Sequence, residues 1–171
     1  WKVGSGDVLD YVLMDYIIST KKPIIISSGM VSLQELDSVV KFLMKNFVPL
    51  SLLYCISEYP CPKEHFNLGT IDHFKEIYPD VVVGFSDHSL GIDVALAAVK
   101  LGARIIEKHF SFSRDLWGAD HKVSLTPQEM TELVHAIRIN DYTEVDSRPY
   151  YGNKNRELEG ANNRFRPYFN K

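Results

Sequence analysis

Cysteine is scarce in this chain. Two cysteines in 171 residues cannot build a disulfide framework, and the run Cys55-Ile56-Ser57-Glu58-Tyr59-Pro60-Cys61 is not spaced like a zinc knuckle. Both thiols are therefore expected to be reduced, as in the cytoplasm. Long apolar runs are also missing. None approaches the ~18 residues that a membrane span needs, so no membrane partner is expected. The opening Trp1-Lys2-Val3-Gly4-Ser5-Gly6-Asp7 has neither the basic start nor the apolar stretch of a signal peptide. It lacks an initiator Met and reads as a strand entering mid-domain. No sign of charge dominates: 19 Lys and Arg stand against 22 Asp and Glu, for a net charge of −3. Nothing in that balance favours nucleic acid or an anionic surface as partner. A dinucleotide fingerprint is absent as well, because Gly4-Ser5-Gly6 is too short to be G-x-G-x-x-G.

What remains is a hydrophobic fraction of 45% against 24% charged residues, the balance of an ordinary globular domain. Five β-like runs occur, at Lys2–Gly4, Pro23–Ser27, Leu50–Cys55, Val81–Phe85 and Arg104–Phe110. Several are almost continuously Ile, Val and Leu, which suits parallel strands covered on both faces. Helical patterns fill the intervals, over residues 7–19, 32–46, 64–78, 90–101 and 127–138. Ser32-x-x-Glu35 and Thr126-Pro127-x-Glu129 are N-terminal capping signals. Gly102 is placed to end the fourth helix, and Pro79 to end the third.

Strict β–α alternation predicts an α/β fold with a parallel sheet. An open doubly wound sheet and a closed (β/α)₈ barrel compete for it. A full barrel needs eight such units and roughly 250 residues, so a barrel reading makes this chain about the last five. Residues 141–171 are polar, with scattered Arg and Asn, and read as a linker and tail.

In parallel α/β folds the chemistry collects at the C-terminal ends of the strands. Each apolar run here ends in polar groups: Ser5 and Asp7; Ser27, Ser28 and Gly29; Cys55, Ser57, Glu58 and Tyr59; Ser86, Asp87 and His88; Glu107, Lys108 and His109. Polar residues at one such end are a turn, but the same edge of five strands is a candidate site. His88 and His109 fall at equivalent ends of consecutive strands, about 4.8 Å apart. They can share a divalent ion, or divide the roles of ligand and general acid–base. Glu107 shares the face of His109, whereas Lys108 points the other way. Ser27-Ser28-Gly29 leads into a helix and can hold a phosphate or carboxylate, with Lys2 and Ser5 adding a cation and a donor. His65, His73 and His135 lack acidic or histidine partners at ligand spacing and read as surface or packing residues, while His121 lies in the loop after the fifth strand.

The stretches Lys2-Val-Gly-Ser-Gly-Asp7, Lys22-Pro-Ile-Ile-Ile-Ser-Ser-Gly-Met30, Tyr59-Pro60, Gly84-Phe-Ser-Asp-His-Ser-Leu-Gly91, Ile106-Glu-Lys-His-Phe110 and Gly118-Ala-Asp-His-Lys122 resemble the sialic acid synthase family, including its legionaminic, pseudaminic and spore-coat relatives. The resemblance covers about residues 1–140. It implies a (β/α)₈ barrel followed by a small antifreeze-like domain, toward which residues 141–171 would lead. It also implies a homodimeric cytoplasmic enzyme that condenses phosphoenolpyruvate with an N-acetylhexosamine, using Mn²⁺ or Mg²⁺. On matching positions, His88 and His109 are the implied metal ligands. Lys2, Ser5, Ser27 and Ser86 would hold the phosphoenolpyruvate phosphate and carboxylate. Asp7, Tyr59 and Asp120 would contact the sugar, and Ser57 also faces the ligands. Asp120 and Glu107 join the two histidines as candidate catalytic groups. Asp7 stands where some members have Glu, Ser57 where some have Asn, Ser28 where Thr is frequent and Ala119 where Pro is frequent. The first barrel strands, which would supply another phosphate-binding Lys and an acidic residue, lie outside the chain. The chain by itself is therefore expected to be inactive. Two other readings are an aldolase or sugar-acid phosphate synthase of the same barrel type, and a non-catalytic piece that associates with another chain.

Overall fold

The computed structural model describes residues 1–152. Five parallel strands, β1 (Lys2–Val3), β2 (Ile24–Ser27), β3 (Leu50–Cys55), β4 (Val82–Asp87) and β5 (Ile106–Lys108), pair in sequence order. Helices α1 (Tyr11–Ser19), α2 (Leu33–Lys45), α3 (Gly69–Ile77) and α4 (Asp93–Lys100) form the crossovers, and α5 (Pro127–Arg138) follows β5. A last helical turn, α6, spans Arg148–Tyr151.

The expected alternation holds, and the element ends move for local reasons. Helix α1 begins at Tyr11 because the Asp10 side chain caps it, accepting from the Leu13 N–H; residues before it form turns through the Gly4 and Asp7 carbonyls. The predicted 64–78 helix divides into a 3₁₀ turn at Lys63–His65 and α3. Both capping boxes form, Ser32 with Glu35 and Thr126 with Glu129. Gly102 has φ +95°, the left-handed geometry expected past a helix end. Strand β4 runs two residues beyond its apolar stretch, so Ser86 and Asp87 lie within the ladder, paired with Glu107 and Lys108.

The sheet is curled. Four steps of about 4.8 Å would set β1 and β5 of a flat sheet about 19 Å apart. Yet Lys2 Nζ on β1 lies 3.0 Å from Glu107 Oε2 on β5. Only an arc whose concave face carries both side chains allows that contact, and this is the curvature of a partial (β/α)₈ barrel. The sheet and its helices bury one main core, with Tyr54, Phe74 and Phe85 its largest fully enclosed side chains. Each large apolar side chain so buried contributes about 1.5–3 kcal/mol. A second cluster of Ala95, Leu96, Leu125 and Leu133 seats α5 against α4.

Residues 141–152, expected as a solvated linker, pack back on the domain. Tyr150 is buried and its carbonyl accepts from the Leu68 N–H; the Tyr151 hydroxyl reaches Asp72, and the Lys100 ammonium donates to the Val145 carbonyl. A polar composition hides two aromatic anchors there. The expected tail at 153–171 lies outside the described residues. Among the described residues no helix is long and apolar enough to cross a membrane.

Candidate active site

The strand ends open on the concave side into a cleft of about 360 Å³. Its β1 and β2 side is formed by Lys2, Ser5 and Ser27, and its β4 and β5 side by Ser86, His88, Glu107 and His109. Ser57 and Tyr59 reach it from the loop after β3. Nine residues expected from the sequence thus converge. The two others do not line the cleft. Asp7 is exposed in the turn between β1 and α1. Asp120 sits in the loop after β5, its carboxylate 3.9 Å from His109 Nδ1 and 77% exposed.

A chain of polar contacts crosses the floor. Lys2 Nζ donates to Ser27 Oγ at 2.5 Å and pairs with Glu107, and Ser86 Oγ donates to Glu107 Oε1 at 2.7 Å. The chain runs from β2 through β1 and β5 to β4, bridging the two outer strands of the arc. Beside it the Gly29 N–H donates to Ser5 Oγ at 2.9 Å. A Cβ on Gly29 would lie 2.5 Å from Ser57 Oγ and 2.9 Å from Cys55 Sγ. Only a residue without a side chain lets the backbone approach this closely. Lys2, the serine hydroxyls and this backbone are a set of donors that could hold an anion.

The histidines form the other half. Their ring centroids are 5.3 Å apart, and the Tyr59 ring packs on both, 4.0 Å from His88 and 5.7 Å from His109. His88 is buried, and its Nδ1 lies 2.7 Å from the Ile56 carbonyl oxygen. A carbonyl only accepts, so Nδ1 carries the proton and Nε2 keeps its lone pair. Burial also holds the imidazole pKa below its usual value, which favours the neutral ring that a metal ligand requires. A histidine anchored through its far nitrogen is the arrangement found around bound metals, so these residues fit a divalent cation. Among the described residues no three His, Cys, Asp or Glu side chains gather at ligand spacing. Two histidines would leave the other coordination positions to water and substrate. Burial raises the Tyr59 hydroxyl to about 12, so it stays protonated and can donate.

Met30 and Cys55 also line the cleft; the sequence places Cys55 at the strand-end edge but assigns neither residue a role. Cys55 ends β3 at the same edge as the other groups, which was a usable signal. Its thiol is 4.0 Å from His88 Nδ1, and burial pushes its pKa up. His65 does have an acidic partner, Glu58 at 2.8 Å, brought together by the loop rather than by local spacing. His121 turns away to Ser111 Oγ at 2.7 Å.

The fold and site define a parallel barrel unit with a lysine–serine cluster and a histidine pair at its strand ends. Comparison with known proteins narrows this class. Residues 1–146 match the NeuB family model, and the chain belongs to that family. It is 40% identical over 141 residues to the N,N'-diacetyllegionaminic acid synthase of Campylobacter jejuni, covering 81% of this chain and 42% of that protein. It is 38% identical over 142 residues to the human N-acetylneuraminate-9-phosphate synthase, covering 81% of this chain and 39% of the relative. The crystal structure of the spore coat polysaccharide biosynthesis protein SpsE of Bacillus subtilis superposes with a TM-score of 0.86 at 29% identity, over 96% of this chain and 48% of that one. The chain therefore spans about two fifths of the length of these curated relatives.

Proposed function

We propose that this chain provides the strand-end half of an active site that condenses phosphoenolpyruvate with an N-acetylated amino sugar, giving a nonulosonic acid and phosphate. The observation that carries the reading is the pairing, in one cleft, of an anion pocket around Lys2 with the neutral, carbonyl-anchored His88 beside His109. The names of the synthase relatives supply the product class.

Lys2, Ser5, Ser27 and Ser86 hold the phosphate and carboxylate of phosphoenolpyruvate. Lys2 already binds a carboxylate, that of Glu107, so an incoming anion exchanges one charged partner for another. C3 of phosphoenolpyruvate attacks the aldehyde carbon of the open-chain sugar. Water adds at C2, and phosphate leaves with C–O cleavage. A divalent cation, Mn²⁺ or Mg²⁺, held by His88 and His109 would supply Lewis-acid polarisation of the aldehyde oxygen. Tyr59 covers the two imidazoles and offers a donor to the sugar, with Ser57 beside it. Asp120 at the rim orients the sugar or carries a proton, Asp7, outside the cleft lining, contacts only a part of the sugar that extends beyond the cleft, and Glu107 aligns water. Most of the rate enhancement is then positional and electrostatic. The two free thiols accord with a cytoplasmic enzyme, and the resemblance supports a homodimer of the full-length protein.

The test is an acceptor panel with the full-length protein: N-acetylmannosamine, its 6-phosphate and a diacetamido sugar, each with phosphoenolpyruvate in ¹⁸O-water. The expected product carries the label at C2 and the released phosphate carries none. Label in phosphate, or no product with any acceptor, would overturn the reading.

A further inference from the structure

The register that sets Ser86 against Glu107 sets Asp87 against Lys108 one residue further on. By the two-residue alternation of a strand these two point away from the cleft. There they form an ion pair shut off from solvent: Lys108 Nζ lies 2.9 Å from Asp87 Oδ2, and the side chains are 2% and 0% exposed. The pair is fully engaged. Lys108 also donates to the Ser89 carbonyl at 2.6 Å and to Ser89 Oγ at 3.3 Å, while Asp87 Oδ1 accepts from the Ser89 N–H at 2.7 Å. Three ammonium donors meet three acceptors.

A buried ion pair is weak evidence for stability, since well-packed apolar side chains of like volume often serve a core as well. What such a pair does fix is geometry. Its two ends lie one peptide before His88 and one before His109, and Ser89, which it grips, is one peptide beyond His88. The contact thus ties together the ends of β4 and β5 and sets the direction of the chain as it leaves β4. The imidazoles of His88 and His109, each on the next residue of its strand, have ring centroids 5.3 Å apart.

We propose that Asp87 and Lys108 are positioning residues: their ion pair, on the far face of the sheet, sets the spacing at which His88 and His109 are presented to a divalent cation. This rests on the reading of the two histidines as ligands. The pair touches neither metal nor substrate and acts through the backbone. Groups that hydrogen-bond a ligating histidine directly are typically worth about 10- to 100-fold in metal affinity; the ion pair acts one peptide removed, so the low end of that range is expected of it.

The experiment is a Mn²⁺ titration of the full-length protein, followed by the electron paramagnetic resonance of free Mn²⁺, alongside thermal melting and steady-state kinetics. Asp87→Leu with Lys108→Met removes both charges and leaves neither unpaired. The double variant is expected to melt cooperatively and keep its KM for phosphoenolpyruvate, while its Mn²⁺ dissociation constant rises about 10-fold. Wild-type Mn²⁺ affinity in the folded double variant would overturn the proposal. Should the double variant not melt cooperatively, Lys108→Arg decides. It keeps the charge but seats a wider head between the strand ends. Weakened Mn²⁺ binding supports the positioning role, and unchanged binding overturns it. His88→Ala and His109→Ala separate the two ideas. If they leave Mn²⁺ binding intact, the ligand reading itself fails; if they abolish it while the Asp87–Lys108 variants do not, only the positioning role fails.

Discussion

Lys2 and Glu107 stand on the two outermost strands of the five, yet their charged groups meet at 3.0 Å across the concave face. The contact reports the curvature of the barrel and places a cation within the cleft proposed to hold phosphoenolpyruvate. Both side chains keep about a third or more of their surface in solvent, so the pair contributes little to stability. Its value is as a charged donor for a ligand. Lys2→Met is expected to raise the KM for phosphoenolpyruvate about 10- to 100-fold, the worth of about 1.5–3 kcal/mol for a hydrogen bond to a charged group. Steady-state kinetics checks it, and an unchanged KM would remove Lys2 from the pocket.

Gly29 lets the chain pass the cleft floor within van der Waals reach of three side chains. A methyl group there would press on Ser57 Oγ, Cys55 Sγ and Ser5 Oγ. Gly29→Ala is expected to cost about 1–3 kcal/mol through overpacking and to weaken phosphoenolpyruvate binding, because Ser5 must yield its place. Calorimetric titration of phosphoenolpyruvate into the folded variant reads the second effect.

The elements were legible because each rests on a local pattern: near-continuous Ile, Val and Leu in the strands, helical apolar spacing between them, and capping boxes at Ser32 and Thr126. The site edge was legible because a parallel sheet puts every strand's C-terminal end on one side. What depends on closure was not. Nothing in the local sequence of Lys2 shows that it meets Glu107 across the arc, that Glu58 reaches His65, or that Lys108 finds both Asp87 and Ser89. The sheet face of Lys108 followed from the period of two, but its partner followed only from the β4–β5 register.

The docking of residues 141–152 gives a stability prediction. Tyr150 is buried and its carbonyl holds the Leu68 N–H at the start of α3. Tyr150→Ala is expected to cost about 3 kcal/mol, the lower end for removing a buried aromatic ring, read as a shifted urea midpoint. A surface linker would show no shift.

Glu129 links α5 to the loop after β5. Both of its carboxylate oxygens accept from the single nitrogen Nη2 of Arg114, at 2.8 and 2.7 Å, and Oε2 also accepts from the Thr126 N–H. Arg114, with the Thr126 backbone, holds its pKa at about 2 against an ordinary 4.5. The folded value is the lower one, so this stabilisation is complete above pH 4.5 and is lost as pH falls toward about 2. Glu129→Gln is expected to cost about 1 kcal/mol at neutral pH, in the range of a lost helix cap. The gap to wild type in thermal melts should close on acidification; a gap independent of pH would contradict the assignment.

In the proposed reaction one cleft joins phosphoenolpyruvate to an amino sugar with the help of His88. The most direct measurement is phosphate release from phosphoenolpyruvate by the full-length protein, with N-acetylmannosamine and Mn²⁺ added singly and together, wild type beside His88→Ala. Release is expected only when the sugar, the metal and His88 are all present. Release that proceeds without the sugar, or that survives His88→Ala at the wild-type rate, would contradict it.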